Sequence, residues 1–219
     1  MSDLDRALRT TGAVRQFADL PVDDATLHAV LDAARFAPSG GNRQPWRVAV
    51  VRDGGIREQL AALMQPVWDE YVAASREGQR PFNGVSYQPP AHVEHAPNDL
   101  IDHIDEIPVV LAVAADLREL AVMDGALGRV PIVGGASIFP FCWSILLAAH
   151  DHGLGGVMTT FLSRAERAAA PLLGLPEHHG LAATIFLGHP EGPRPTKLTR
   201  KPVSSFATVD RFDGTAFSV

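Results

Sequence analysis

The chain is poor in cysteine, in long apolar runs and in surplus positive charge. Its single cysteine, Cys142, excludes an intrachain disulfide, and the apolar residues around it predict a buried, inert thiol. No apolar run approaches the ~20 residues that span a bilayer, and the first ten residues lack the apolar core of a signal peptide. A net charge of −6 argues against a nucleic-acid-binding protein. We therefore expect a cytoplasmic protein.

The composition that remains is typical of a globular domain. The 219 residues are 46% apolar and 20% charged, and they suit one domain better than two. Helix and strand patterns are interleaved without regular βαβ spacing. The sequence therefore predicts an α+β fold, in which a mixed β-sheet is covered by helices on both faces, as one domain over residues 1–219.

The periodicity of apolar residues places the individual elements. It predicts strands at 46–51, 109–115, 157–161 and 181–187, and helices at 24–37, 56–74, 137–152 and 163–173. Pro38 is expected to end the first helix, and Pro66 to kink or split the second. The helix at 137–152 is apolar nearly all round, which predicts a central helix rather than a surface one. Ser163–Glu166 has the pattern of a capping box.

Two segments carry no helix or strand pattern. Residues 76–100 are rich in proline and polar turn formers, which predicts a loop or a lid. The tail from Pro190 is rich in proline and basic residues, which predicts an extended arm.

The densest chemical signal is the segment 37–46, Ala-Pro-Ser-Gly-Gly-Asn-Arg-Gln-Pro-Trp, between a predicted helix and a predicted strand. Its two glycines allow the backbone to approach a flat ligand closely. The amides of Asn42 and Gln44 both donate and accept, which suits the polar edge of a flavin ring. On spacing alone, however, a structural turn is the better interpretation, because Gly, Asn and Pro are common turn formers.

Four segments in order resemble the motifs of the nitroreductase family. Residues 38–46 resemble its Pro-Ser-x-x-Asn-x-Gln-Pro-Trp motif, and residues 14–17, Val-Arg-Gln-Phe, resemble its Arg-x-Phe element. Residues 153–156, Gly-Leu-Gly-Gly, resemble its Gly-Leu-Gly turn, and residues 185–190, Ile-Phe-Leu-Gly-His-Pro, its Leu-Gly-(Tyr/His)-Pro strand end. The resemblance covers most of the chain, and the region 75–135 has no match.

The resemblance implies an FMN-dependent enzyme that passes hydride from NADH or NADPH to an acceptor such as a nitroaromatic or a quinone. It also implies a homodimer, with the flavin at the interface and the C-terminal arm around the partner. No catalytic side chain is expected, because the cofactor carries the chemistry. The implied cofactor contacts are Arg15 for the phosphate or ribityl chain; Ser39, Asn42 and Gln44 for the pyrimidine edge or ribityl chain; Gly155, Gly156, Met158, Thr159 and Thr160 near the ring; and Lys197 and Arg200 for the phosphate.

The chain departs from the family pattern at two places. Gly12 and Ala13 stand where the family usually has an arginine or a serine, and Ser144, preceded by Trp143, stands where it has an asparagine. These departures leave the substrate open. The alternatives are a deazaflavin-dependent, dehalogenating or flavin-fragmenting enzyme, a non-catalytic protein that stores flavin, and a structural protein with a decayed site.

The nine histidines do not form a metal-binding pattern. His150 and His152 are two residues apart on a predicted helix, so they do not share a face. There is no His-Glu-x-x-His motif and no cysteine cluster. We expect surface histidines and no metal site.

Overall fold

The computed structural model describes residues 2–193 and 197–218. In chain order, its helices and strands are α1 (Asp3–Thr10), α2 (Asp24–Ala34), β1 (Trp46–Val50), α3 (Gly54–Arg76), α4 (Asp99–Asp102), β2 (Val109–Asp116), α5 (Phe139–Asp151), β3 (Gly155–Thr159), α6 (Phe161–Arg164), α7 (Glu166–Leu173) and β4 (His179–Gly188). Short 3₁₀ turns lie at Gly40–Asn42, Val133–Ser137 and Val203–Ser205. The predicted α+β class is confirmed.

The four strands form one sheet in the order β1-β2-β4-β3, and all three pairs are antiparallel. Parallel pairing among the described residues is limited to the isolated bridge between Ala13 and Gly156. The central strand β2 is buried along its whole length, as its unbroken apolar run predicts. The strands β1 and β3 therefore form the two opposite edges of the sheet.

Helices cover both faces of the sheet, as predicted. On one face, α2 and α5 pack on a core that includes Val30, Leu111 and Ile145. On the other face, α3, α4, α6 and α7 pack on a second core that includes Met64 and Phe186. Because β2 and β4 contribute alternate side chains to the two cores, these strands hold both helical layers in place.

Helix α3 is continuous through Pro66, so the predicted split at this residue is wrong. Proline removes one backbone hydrogen bond, but the same helix buries Leu60, Met64 and Val67 on both sides of it. The Asp53 carboxylate also accepts a hydrogen bond from the Ile56 N–H at 2.8 Å and caps the helix start. Packing and capping outweigh the local penalty.

Two further predictions about helices are wrong. The helix predicted at 163–173 divides into α6 and α7. Ser163–Glu166 does not form a capping box, because the Glu166 carboxylate accepts a hydrogen bond from the Leu181 N–H at 2.6 Å instead. Helix α5 is not buried all round, since Phe139 and Trp143 are 41% and 38% exposed. Helix α2 ends at Ala34, before the predicted end at 37, and α1 was not predicted.

A buried arginine fixes the chain that leads into β2. Arg57 on α3 donates to the carbonyl oxygens of Val51, Ile104 and Ile107 at 2.9, 3.4 and 2.8 Å. Burial lowers the pKa of its guanidinium. Since the four-residue α4 comes shortly before Ile104 and Ile107, the arginine also holds α4 against α3.

Residues 77–98 contain neither helix nor strand, as predicted for a loop, and we call them the cover segment. Within the described ranges, no helix is both long and apolar enough to pass through a membrane. In the same ranges, no three His, Cys, Asp or Glu side chains are grouped to hold a metal ion.

Candidate functional site

The segment after α1 lies along the free edge of β3. The Val14 N–H donates to the Gly156 carbonyl at 2.9 Å, and the Ala18 N–H donates to the His189 carbonyl at 2.8 Å. This pairing positions Arg15 beside the end of β3. The Arg15 side chain is exposed, and its guanidinium has no hydrogen bond or ion pair with any residue in 2–193 or 197–218.

A cavity of about 600 Å³ opens next to Arg15. Its lining residues are Arg15, Trp68, Tyr71, Pro97, Asn98, Asp99, Leu100, Val157, Met158, Thr159, Thr160 and Phe161. Four of the predicted cofactor contacts therefore come together here, from the N-terminal segment and from the end of β3. The volume is in the range of small-molecule and cofactor sites.

Thr159, which lines this cavity, carries a buried polar atom. In the sheet it lies opposite Thr184 on β4, so the two side chains point to the same face. The Oγ1 atoms of both residues are buried and lack a hydrogen-bond partner among the described residues. Because buried hydroxyls are normally satisfied, the Thr159 hydroxyl is an exception in the wall of the cavity.

A second, smaller cavity of about 210 Å³ also borders Arg15. It shares Arg15, Asp99 and Leu100 with the first cavity and adds the carboxylates of Glu106 and Glu191. An anion is disfavoured there by like charge. A phosphate bound to Arg15 is therefore expected on the side of the larger cavity.

The other predicted contacts lie in the loop 38–46, which we call the motif loop. The Gln44 N–H donates to Ser39 Oγ at 3.0 Å, and the Gln44 side-chain amide donates to Asn42 Oδ1 at 3.2 Å. Asn42 and Gln44 have φ values of 54° and 51°, in the left-handed region that most side chains avoid. Such a backbone persists only where surrounding contacts hold it, and it occurs often at ligand sites.

Within one chain, the motif loop does not contribute to the cavity. It leads directly into β1, whereas the cavity lies at β3, at the opposite edge of the sheet. Ser39, Asn42 and Gln44 are absent from the cavity lining, and Asn42 and Gln44 are exposed. The predicted residues thus form two separate half-sites.

Gly155 and Gly156 are buried and serve close packing. A Cβ atom on Gly155 would lie 2.6 Å from Val14 Cγ2, and one on Gly156 would lie 2.7 Å from the Phe186 carbonyl oxygen. Both distances are too short for any other residue. These glycines allow the Arg15 segment and β4 to approach β3, and neither lines the larger cavity.

Lys197 and Arg200 lie in the exposed tail and do not line the cavity. Arg200 donates to the carbonyl oxygen of Thr199 at 2.8 Å. Further along, the tail folds back on itself through a bridge between Thr208 and Ala216.

Sequence reasoning missed several residues of the site. Trp68, Tyr71 and Phe161 form an aromatic wall of the cavity, and Trp68 and Tyr71 lie in the helix predicted at 56–74. Their spacing of three residues shows only that they share a face. Ser137, which accepts a hydrogen bond from the Gly40 N–H at 3.0 Å, anchors the motif loop across 97 residues of sequence.

The departures from the family pattern have clear structural positions. Ala13 pairs with Gly156 at the β3 edge, so the backbone is ordered there without an arginine. Ser144 is half-buried on α5, next to the exposed Trp143.

Cys142 is fully buried, and burial raises the pKa of its thiol to about 12, which fits the predicted inert thiol.

Comparisons with known proteins agree with this architecture. Residues 8–189 match the model of the nitroreductase family. An NADH dehydrogenase of Thermus thermophilus is 30% identical over 194 residues, which are 81% of this chain and 82% of that protein. A 5,6-dimethylbenzimidazole synthase of Rhodobacter capsulatus is 29% identical over 90% of this chain and 88% of its own length. In fold, a nitroreductase-like protein from Desulfovibrio desulfuricans, solved in complex with FMN, superposes with a TM-score of 0.69 at 21% identity, over 97% of this chain and 99% of that one. The chain belongs to the nitroreductase family.

Proposed function

We propose that the protein is an FMN-dependent oxidoreductase that takes hydride from NADH or NADPH and delivers it to a small acceptor such as a nitroaromatic or a quinone. The observation that carries the proposal is the cavity at the end of β3, where Arg15, which has no ion pair among the described residues, lies beside Met158, Thr159 and Thr160. The Thermus relative, named for NADH, and the Desulfovibrio neighbour, solved with FMN, support the same reading.

The residues of the cavity fit FMN. Arg15 supplies a cation for the phosphate, and charge-assisted hydrogen bonds of this kind are strong. Thr159 and Thr160 supply hydroxyl groups, and Met158 supplies an apolar surface for the ring. Bound flavin would supply the hydride-transfer chemistry, and the protein would supply binding, orientation and electrostatics.

A homodimer would unite the two half-sites. In one chain the motif loop and the cavity lie at opposite sheet edges, so the amides of Asn42 and Gln44 would reach the flavin from the partner subunit. Exposed apolar side chains between residues 117 and 143, which we call the apolar surface, support such a partner. They are Leu117, Val122, Met123, Leu127, Val130, Ile132, Phe139 and Trp143. Monomeric proteins rarely expose large apolar patches.

The C-terminal tail is proposed as the arm that embraces this partner. It exposes Val203, Phe206, Phe212 and Phe217, which find no core in their own chain. In that position Lys197 and Arg200 would add positive charge around the phosphate.

The cytoplasmic location and the role of residues 77–98 as a lid also stay predictions.

The first test is the absorption spectrum of the purified protein. We expect a yellow protein that releases FMN on heating, identified by mass. Protein that stays colourless and does not take up added FMN would contradict the proposal.

The second test is anaerobic mixing with NADH or NADPH in a stopped-flow instrument. We expect the flavin absorption band to bleach without acceptor present. Because one cavity would serve donor and acceptor in turn, steady-state kinetics should be ping-pong, with parallel double-reciprocal lines. Substitution of Cys142, His150 or His152 should change turnover only a few-fold, well short of the ~100-fold loss on removing a general acid or base.

A specialised reaction of the same family is the second candidate, and the Rhodobacter relative favours it. It predicts bound FMN without rapid turnover of a generic acceptor. Reduction by a reduced deazaflavin, with neither nicotinamide active, would instead identify a deazaflavin-dependent enzyme. Flavin that no donor reduces would point to storage.

A further inference from the structure

One of the side chains that tie the cover segment to the body of the protein is a carboxylate that joins three parts of the chain. Glu70 on α3 accepts a hydrogen bond from the Tyr87 hydroxyl at 2.6 Å. It also accepts from the Arg164 guanidinium at 3.0 and 3.1 Å, through both carboxylate oxygens. Tyr87 belongs to the cover segment and Arg164 ends α6, so Glu70 joins three parts of the chain. Its side chain is only 18% exposed, which strengthens these bonds.

This arrangement leads to the cavity through a chain of aromatic contacts. The ring of Phe82, also in the cover segment, lies 5.0 Å from Tyr87 and 6.3 Å from Tyr71, between ring centroids. The Arg164 guanidinium stacks over Phe82 at 4.6 Å. Both partners of Glu70 therefore contact Phe82, and Phe82 contacts Tyr71 in the aromatic wall.

The aromatic wall is itself held in one orientation. The Trp68 ring lies nearly parallel to Tyr71, with 5.6 Å between centroids, and its indole N–H donates to the Pro97 carbonyl at 3.1 Å. Phe161, at the start of α6, contacts both rings. The wall thus depends on the cover segment at two points, Phe82 and Pro97.

The backbone of the cover segment is strained where it meets this network. Phe82 has a φ of 54°, in the left-handed region that bulky side chains avoid. Such strain persists only where neighbouring contacts hold it. Burial and the hydrogen bond to Glu70 raise the pKa of Tyr87 to about 12, so its hydroxyl stays a donor across the physiological range.

We propose that Glu70 is a positioning residue that selects the acceptor by size: through Tyr87 and Arg164 it holds Phe82 against Tyr71 and keeps the aromatic wall closed to bulky acceptors. This inference rests on the proposed function, because it takes the cavity as the place where the acceptor binds. Glu70 does not line the cavity, so it acts only through the wall.

The chain provides matched variants for a test. Glu70→Gln keeps the size of the side chain and removes its charge, and Tyr87→Phe keeps the ring and removes the hydroxyl. The control is Glu94→Gln, because Glu94 also links the cover segment to α3, through Arg76, but at 3.9 Å and with an 84% exposed side chain. An exposed pair at that distance contributes little.

The first measurement is hydrogen–deuterium exchange of amides 79–88 in the purified protein. We expect exchange to accelerate about 10-fold in Glu70→Gln and Tyr87→Phe, which corresponds to loss of one charge-assisted bond. The double variant should show no further acceleration, because both changes break the same contact. Glu94→Gln should match the wild type. Unchanged exchange in Glu70→Gln would overturn the inference.

The second measurement is the affinity for 1,4-benzoquinone and for anthraquinone-2-sulfonate, by quenching of tryptophan fluorescence without any reductant. We expect the Kd ratio between the small and the bulky quinone to shift at least about 3-fold toward the bulky one in Glu70→Gln and Tyr87→Phe, with Glu94→Gln unchanged. Faster exchange with an unchanged ratio would also overturn the inference. Absence of NADH- or NADPH-driven quinone reduction by the wild type would remove the proposed function instead, and the Kd ratio would still decide this inference.

Discussion

The polar groups at the two edges of the sheet differ in whether they have hydrogen-bond or ion-pair partners. At the β1 edge, the motif loop satisfies its own groups: Ser39, Asn42 and Gln44 bond to one another and hold a left-handed backbone. At the β3 edge, Arg15 lacks an ion-pair partner and Thr159 lacks a hydrogen-bond partner within the described chain. The motif loop at the β1 edge is therefore preorganised and exposed. The groups at the β3 edge lie at a cavity and lack partners among the described residues.

The difference indicates how a site can be divided between two chains. A preorganised loop loses little conformational freedom when it meets a ligand, so it can act as a preformed contact surface. The cavity beside Arg15, which has no ion-pair partner among the described residues, would supply most of the binding free energy. Neither edge forms a complete site alone. The apolar surface near α5 would bind a second copy of the chain and so bring the two kinds of edge together.

The largest expected effect comes from breaking the proposed dimer, because this separates the motif loop of one subunit from the cavity of the other. Trp143→Glu places a charge on the exposed apolar face of α5. Truncating an interface hot spot costs about 2–4 kcal/mol, so the dimer Kd should rise about 30- to 1,000-fold and FMN should be lost with it. Light scattering over a concentration series measures this. Leu20→Glu, at an exposed apolar residue outside the surface, is the control. A Trp143→Glu dimer as tight as the wild type would place the interface elsewhere.

The next effect concerns the β3 edge alone. Arg15→Ala should weaken FMN about 10- to 150-fold, because a charge-assisted bond is worth about 1.5–3 kcal/mol. Riboflavin, which has no phosphate, should be affected much less, and Arg167→Ala, at an exposed arginine on α7, should affect neither. Fluorescence titration of the apoprotein gives both constants. Equal losses for the two ligands would remove Arg15 from phosphate binding.

Mixed dimers test directly whether the two edges of one site belong to different chains. Asn42→Gly removes the amide, and glycine tolerates the left-handed backbone at that position. A dimer of one Arg15→Ala chain and one Asn42→Gly chain, purified through two different tags, should then have one intact site and one doubly defective site. We expect one FMN bound per mixed dimer, about 10-fold or more tighter than in the Arg15→Ala parent and about 2- to 10-fold tighter than in the Asn42→Gly parent. Two equally weak sites would assign both residues to a single chain.

The smallest effect concerns the unpartnered hydroxyl. Thr159→Val should weaken FMN about 2- to 10-fold, as expected for one neutral hydrogen bond of about 0.5–1.5 kcal/mol. Thr184→Val is the matched control, because Thr184 lies opposite Thr159 and is also unpartnered but does not line the cavity. A larger loss in Thr184→Val than in Thr159→Val would assign the hydroxyls to packing.

Sequence patterns predicted the strands well, because an apolar run such as 109–115 marks burial on both faces wherever the strand lies. They predicted helices less well where packing opposes local preference. The proline in α3 was expected to kink or split the helix, but α3 continues through it, with buried residues on both sides. For α5 the cause of the error is different. Trp143 lies on an apolar face that a single chain leaves exposed, and the sequence does not distinguish such a face from a core face.

The sequence by itself determined the local chemistry of this protein. The order of Pro, Ser, Gly, Asn and Gln in the motif loop favours a turn, and the bonds among Ser39, Asn42 and Gln44 close within six residues. Only the tertiary structure decided which of these groups meet. Arg15 and Thr159 are brought together across more than 140 residues by the bridge from Ala13 to Gly156, and the order β1-β2-β4-β3 keeps the motif loop away from them. Strand order depends on pairings between distant segments, and no local pattern of residues specifies it.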